Sequence, residues 1–191
     1  VLRKVRVFAY CCQSFRDTTK RGAGVEPVTC PPVVSASFNP SWMMGADLLY
    51  FDLHGGPGDS AWYGDDGRVA LTAAQLRAIR FPNEPVVFAM NCFLADKDSP
   101  MLDALLGAGA AYIVAGDGKN YAGEKALYGA ALLGLWFRRL LRVTNPLKAI
   151  ALAKRRVRAD LFKDRVLRRF GRAKAAKDTL AFRAYHREET A

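Results

Sequence analysis

The stretch LLYFDLHGG, residues 48–56, decides the fold when it is read beside VVFAMNC, residues 86–92. Leu48–Leu53 is apolar except for Asp52 and runs straight into His54-Gly55-Gly56. Val86–Asn91 is apolar up to Asn91 and runs straight into Cys92. Neither run alternates apolar with polar residues, and both are rich in branched or aromatic side chains, as strands buried on both faces of a parallel sheet are.

Working outward, Val5–Tyr10 reads as an earlier strand of the same kind, Ala111–Ala115 as a later one and Leu180–Tyr185 as the last. Residues 11–45 are rich in Pro, Ser, Thr and Gly and read mostly as loop. Thr72 followed by Gln75 is a capping box that opens a helix over Ala73–Ile79. Ser99-Pro100 is a cap with proline at the first helical position, and Gly107 or Gly109 closes that helix. Ala122–Leu141, apolar almost all round, predicts a helix packed heavily on the sheet. Asn145-Pro146 starts another that runs through Arg158. Strands alternating with helices predict a single domain over residues 1–191, a three-layer α/β/α sandwich on a mainly parallel sheet.

That layout says where chemistry belongs. Open parallel sheets bind ligands outside the carboxyl ends of their strands, and two strands here end in reactive side chains. If they are neighbours, about 4.8 Å apart, the His54 imidazole and the Cys92 thiol share one sheet edge. A free thiol has a pKa of about 8.5 and attacks poorly until a base or positive charge favours the thiolate. A histidine supplies that help, or protonates the departing amine. Acyl transfer also needs donors for the oxyanion. Gly55 offers an N–H unobstructed by a side chain, and the Cys92 N–H is the natural second donor.

The order of these residues resembles the clan CD cysteine peptidases, which include caspases, gingipains, clostripain, separase and the CHAT domains. The shared pattern is apolar strand, His-Gly, a hairpin-like stretch with Asp-Gly, short helix, apolar strand, Cys, helix and strand. "LLYFDLHGGPGDSAWYGDDGRVALTAAQL" is similar to the histidine loop and following helix of CHAT-type or gingipain-type domains. "VVFAMNCFLADKDSPMLDALLGAGAAYIVAG" is similar to their cysteine strand and its successors, and "NPLKAIALAKRRV" to a later helix. The likeness covers roughly residues 46–158. It departs in three places: His54-Gly55-Gly56 replaces His-Gly-His-Gly or Gly-His-Gly, Met90-Asn91 replaces Ser-Ala or Asp-Ser, and Tyr185-His186-Arg187-Glu188 replaces a final Tyr-Gly-Asp-Pro. None removes a catalytic group.

The resemblance implies a caspase-like fold and a cysteine endopeptidase acting on polypeptide through an acyl-thioester. His54 and Cys92 form the catalytic dyad, and Gly55 and Cys92 the oxyanion hole. In such folds the pocket for the residue before the cut lies at the ends of the first, Cys-bearing and following strands. The acidic residues near those ends are Asp17, Asp96 and Asp117. Asp117 and Asp17 are the candidates for a pocket selecting Arg or Lys, although Asp117-Gly118 is also a turn signal. Asp52 reads as support for its strand end.

Composition frames the rest. The 191 residues carry a formal charge of +11, but residues 1–137 hold 12 Lys+Arg against 13 Asp+Glu. Residues 138–177 hold 15 against 2, so the excess lies in one basic segment. Leu161, Phe162, Val166, Leu167 and Phe170 read there as an apolar stripe, with the arginines turned to water. A docking surface for nucleic acid, a phosphate-rich ligand or an acidic regulatory protein is the sharper alternative. Two competing functions follow: a catalytically silent caspase-like module that binds a partner, and a basic nucleic-acid-binding protein.

Cys11, Cys12, Cys30 and Cys92 lack paired CxxC spacing and are too few for a disulfide scaffold. A bridge from Cys30 to Cys11 or Cys12 stays open, with a reducing compartment as the default. With two histidines, of which His186 reads as a surface residue, and no ligand cluster along the chain, no metal and no cofactor is expected. Asp59, Asp65 and Asp66 read as a solvated hairpin rather than a calcium site. The longest apolar run, Ala126–Phe137, is shorter than the about 20 residues of a membrane span, and without a signal peptide the expected location is cytoplasmic. The first residue is Val1 rather than Met, as in a processed product or a fragment.

Overall fold

A computed structural model describes residues 4–120, 124–163 and 179–186. Its sheet is built by the expected apolar runs in β1 (Val7–Cys12), β3 (Leu48–Asp52), β6 (Val86–Ala89) and β7 (Tyr112–Ala115), joined by β2 (Val28–Cys30) and by β8 (Arg183–His186). β8 starts later than the expected Leu180 because residues 179–181 are helical. The strand order is β2-β1-β3-β6-β7-β8, parallel throughout except for β8, which runs antiparallel to β7. Both faces are covered, which is why these strands read as unbroken apolar runs. Tyr10, Cys12, Leu49, Phe51 and Val87 face one layer: a hairpin of β4 (Ala61–Tyr63) and β5 (Val69–Thr72) with α2 (Ala73–Arg77) and α3 (Pro100–Gly107). Ala9, Leu48, Tyr50, Phe88 and Met90 face the other: α1 (Arg16–Ala23), α4 (Gly129–Leu141) and α5 (Pro146–Lys163).

Local signals account for several boundaries. The Thr72 hydroxyl accepts from the Gln75 N–H at 3.2 Å while Gln75 Oε1 accepts from the Thr72 N–H at 3.0 Å, so the capping box forms as read. The Ser99 hydroxyl caps α3 through the Leu102 N–H, with Pro100 in the first turn. Two elements were not expected. α1 and β2 lie inside 11–45, the stretch read as loop. The buried face of α1 is Thr18, Thr19, Gly22 and Ala23, too small and polar for a helical apolar stripe. It ends at Gly24, whose φ of 73° brings its N–H onto the Lys20 carbonyl. β2 is only three residues long. The helix expected over Ala122–Leu141 starts only at Gly129: residues 124–128 are not helical, and Tyr128 has extended backbone at the helix start.

The basic segment divides in two. Arg138 turns inward: its Nε donates to the Gly22 carbonyl at 2.7 Å, closing α4 on α1, and burial pushes its guanidinium below its usual range. Arg139 and Arg156 each lie over the Trp136 ring, at 5.3 and 5.6 Å from its centroid, and the Arg156 cation–π contact joins α5 to α4. Arg138 and Arg156 therefore hold helices together. The stripe of Leu161, Phe162, Val166, Leu167 and Phe170 lies outside the described side chains. No helix among the described residues is long and apolar enough to cross a membrane.

Candidate active site

The register between β3 and β6 pairs Phe51 with Ala89. Counting three residues along each strand arrives at His54 and at Cys92, which therefore leave the sheet at the same level on adjacent strands. The Met90 N–H still donates to the Phe51 carbonyl at 2.9 Å. One residue further the ladder is continued by a side chain, with Asn91 Oδ1 accepting from the Leu53 N–H at 3.3 Å. Asn91 is fully buried and is the group that ties the two strand ends together. Its position before the thiol was noted in the sequence only as a departure; its role requires knowing that β3 and β6 are neighbours.

His54 is held from the main chain. Its N–H donates to the Tyr63 carbonyl at 2.8 Å and its carbonyl accepts from the Tyr63 N–H at 2.9 Å, so the β4–β5 hairpin clamps it. The Phe15 ring meets the imidazole edge-on at 5.6 Å. Directly after it, a Cβ on Gly55 would stand 2.8 Å from the Cys92 carbonyl oxygen. Real Cβ atoms do not approach backbone oxygen so closely, and glycine here lets the histidine loop lie against the cysteine turn.

Cys92 sits half-buried under the loop that follows β7. The Asn120 N–H donates to Cys92 Sγ at 3.3 Å, and Asn120 Nδ2 donates to the Asn91 carbonyl at 2.9 Å. The Phe93 and Ala95 N–H groups donate to the Gly118 and Gly116 carbonyls, zipping this loop to the turn. Phe93 has φ of 59°, a left-handed conformation costly for a residue with a side chain, immediately after the thiol.

His54 and Cys92 line one cavity of about 480 Å³, with Phe15, Asp52, Met90 and Asn120 among its walls. Glu124 and Lys125 stand exposed at the same cavity. Asp17 is exposed on α1 and Asp117 is exposed after β7; neither lines the cavity, and Asp96 does not either. The buried carboxylate there is Asp52. It accepts from the Thr19 hydroxyl at 2.8 Å, and burial pushes it up to about 7 despite that bond.

The other side of His54 holds a second group. Cys12 Sγ, an imidazole nitrogen of His54 and a carboxylate oxygen of Asp65 all lie within 4.8 Å of one another. Chain spacing hid this cluster, because its members come from β1, the residue after β3 and the hairpin. Asp65 is thus more than a solvated hairpin residue. All four cysteines are free; Cys11 and Cys12 are buried, and burial holds their thiols up, that of Cys11 to about 12. Cys12 and Cys30 are register partners on β1 and β2. His186 packs its ring on Tyr112 at 4.6 Å at the sheet edge.

No protein-family model matches the chain, and no curated protein matches it. Among solved structures it is similar to the "Arg specific cysteine proteinase gingipain R (RGPB)", with a TM-score of 0.55 at 11% sequence identity. The match covers 97% of this chain and 48% of that one, so the protein spans about half the length of the proteinase it resembles. At this identity the likeness speaks for the fold: the chain is a caspase-like α/β sandwich with a mainly parallel central sheet flanked by helices.

Proposed function

We propose that the protein is a cysteine endopeptidase in which Cys92 is the nucleophile and His54 the proton-transfer group. The observation that carries this reading is the β3–β6 register, which brings an imidazole and a thiol to one level at one cavity on the carboxyl edge of the sheet. The Cys92 thiol passes its proton to His54 as Sγ attacks the scissile carbonyl carbon, and His54 then delivers that proton to the departing amine as the acyl-thioester forms. Water then hydrolyses the thioester, with His54 taking its proton. The N–H groups of Gly55 and Cys92 are assigned to the oxyanion. The Asn120 backbone holds the sulfur in place, its N–H donating to Cys92 Sγ at 3.3 Å.

Preference for Arg or Lys before the cut is assigned to Asp52, in place of Asp117 and Asp17. It is the cavity's buried carboxylate, fixed by Thr19, and a cationic side chain reaching it exchanges a penalised charge for a paired one. A digest of a peptide library, with Cys92→Ala as the control, tests both parts. Cleavage after Arg and Lys, absent from the control, is the expected result. In Asp52→Asn that preference over neutral residues is expected to fall about 30-fold or more, the scale of removing one partner of a buried charge pair. Equal cutting after acidic or apolar residues would overturn the basic preference. No cleavage, with no labelling of Cys92 by a peptidyl thiol probe, would leave a silent partner-binding module.

A further inference from the structure

We propose that Cys12, His54 and Asp65 form a zinc site whose occupation withdraws His54 from Cys92. The metal site itself rests on the geometry of the three side chains, and its inhibitory consequence rests on the reading of His54 as catalytic. One thiol, one imidazole and one carboxylate are the donor types that tetrahedral zinc takes, and three protein ligands with water in the fourth position is a common arrangement. Calcium and magnesium require sets of oxygen donors and do not suit a thiol.

The geometry is close to what binding needs. Donor atoms around a tetrahedral zinc, bonded at about 2.0–2.3 Å, stand about 3.5 Å apart. Here they already lie within 4.8 Å of one another, so closure takes about 1 Å of side-chain movement or less. Each ligand is also held from behind. Cys12 ends β1 and is fully buried, so the paired strand fixes where its sulfur sits. His54 is clamped to Tyr63 by paired main-chain bonds. Both Asp65 oxygens are engaged, one by the Ser14 N–H at 2.9 Å and one by the Ser14 hydroxyl at 2.8 Å. Such outer-shell donors orient a ligating carboxylate.

The hairpin that carries Asp65 is seated as well. A Cβ on Gly64 would come within 2.6 Å of the Cys30 Cβ, so Gly64 lies flush on β2 and fixes the approach of its neighbour. The His54 side is exposed, which leaves a path for the ion and for a water ligand. On binding, the Cys12 thiol forms the Zn–S bond and gives its proton to solvent. The imidazole lone pair used for the Zn–N bond is then unavailable for proton transfer at Cys92.

Cobalt(II) reports this site without reference to activity. The full chain carrying Cys92→Ala is titrated with cobalt(II) and followed by absorption. A sulfur-to-cobalt charge-transfer band with tetrahedral d–d absorption is expected at one equivalent, and zinc is expected to displace it. The band should vanish in Cys92→Ala/Cys12→Ser, while Asp65→Asn should weaken binding by about 10–100-fold. Asp65 is only part-buried, so that variant keeps the test open if Cys12→Ser fails to fold. Absence of the band, its persistence without Cys12, or unchanged affinity in Asp65→Asn would overturn the site. If the band forms only when Cys92 is present, the metal sits at the dyad instead and the inference also fails. Failure of the peptidase reading looks different: the cobalt band stands, and metal-free protein neither cleaves peptide nor labels at Cys92.

Discussion

Cys92→Ala and His54→Ala are each expected to lower kcat/KM for a cleaved peptide by a factor of about 10⁶, to background for Cys92→Ala, and the double variant should be little worse than the poorer single. The reason lies in the shared step. Without the thiol no acyl-enzyme forms, so the proton-transfer group has nothing to serve. Without the imidazole the thiol still meets substrate, but the amine departs unassisted. Residues that act as a unit give non-additive losses, whereas two independent contributions would multiply. Neither substitution should unfold the chain: Cys92 is only half-buried, and His54 is held by main-chain bonds to Tyr63 that alanine retains. Steady-state kinetics on the three variants, with urea unfolding of each as the control for folding, is the measurement. Additive losses, or turnover retained in Cys92→Ala, would refute the dyad.

The second large effect is on stability. Gly134→Ala is expected to destabilise the protein by about 1–3 kcal/mol, the cost of overpacking a filled core. At an open helix position the same change would gain about 1 kcal/mol of helix propensity, so the sign itself is informative. Gly134 lies in α4 over β3 and β6, and an added Cβ would stand 2.8 Å from Tyr50 Cζ and 2.7 Å from Phe88 Cε1. Neither ring can yield. Tyr50 packs on Phe88 with centroids 5.2 Å apart, and Phe88 packs on Phe137 and Phe182 at 5.4 and 5.7 Å. From the other side, a Cβ on Gly22 of α1 would stand 3.2 Å from the same Tyr50 Cζ. Both helices therefore close on one tyrosine through glycines. In a Tyr50→Phe background, which removes the nearest atom, Gly134→Ala should cost less. A lowered urea midpoint with unchanged slope is the expected readout. A neutral or stabilising Gly134→Ala would show that the helix has room to shift.

These two predictions draw on different parts of what was legible in advance. The strands beginning at Leu48 and Val86 were readable because both sheet faces are buried, which leaves an apolar run and ends it where the chain leaves the sheet. α2 and α3 were readable because their caps are local: Thr72 with Gln75, and Ser99 with Pro100. α1 was not, since it buries threonine, glycine and alanine and so carries no apolar period. Asp17 and Asp117 were natural pocket candidates by chain position, yet both side chains are exposed outside the cavity. Asp52 was set aside as strand support because a carboxylate two residues before a histidine says nothing about burial. In the fold it is enclosed beside Thr19 and lines the cavity.

By itself the sequence determined the layered α/β class and singled out His54 and Cys92 as the proposed catalytic pair. Periodicity and capping are short-range, and His54 and Cys92 sit where two apolar runs stop. Only the tertiary structure decided which strands are neighbours and in what register. Phe51 opposite Ala89 is a pairing of residues far apart in the chain, set by how the hairpin and α2 pack between them. The same long-range packing brings Cys12 and Asp65 to the far side of His54 and turns Arg138 inward onto Gly22. Such contacts depend on side chains that meet only after the layers close, so no local pattern in the chain announces them.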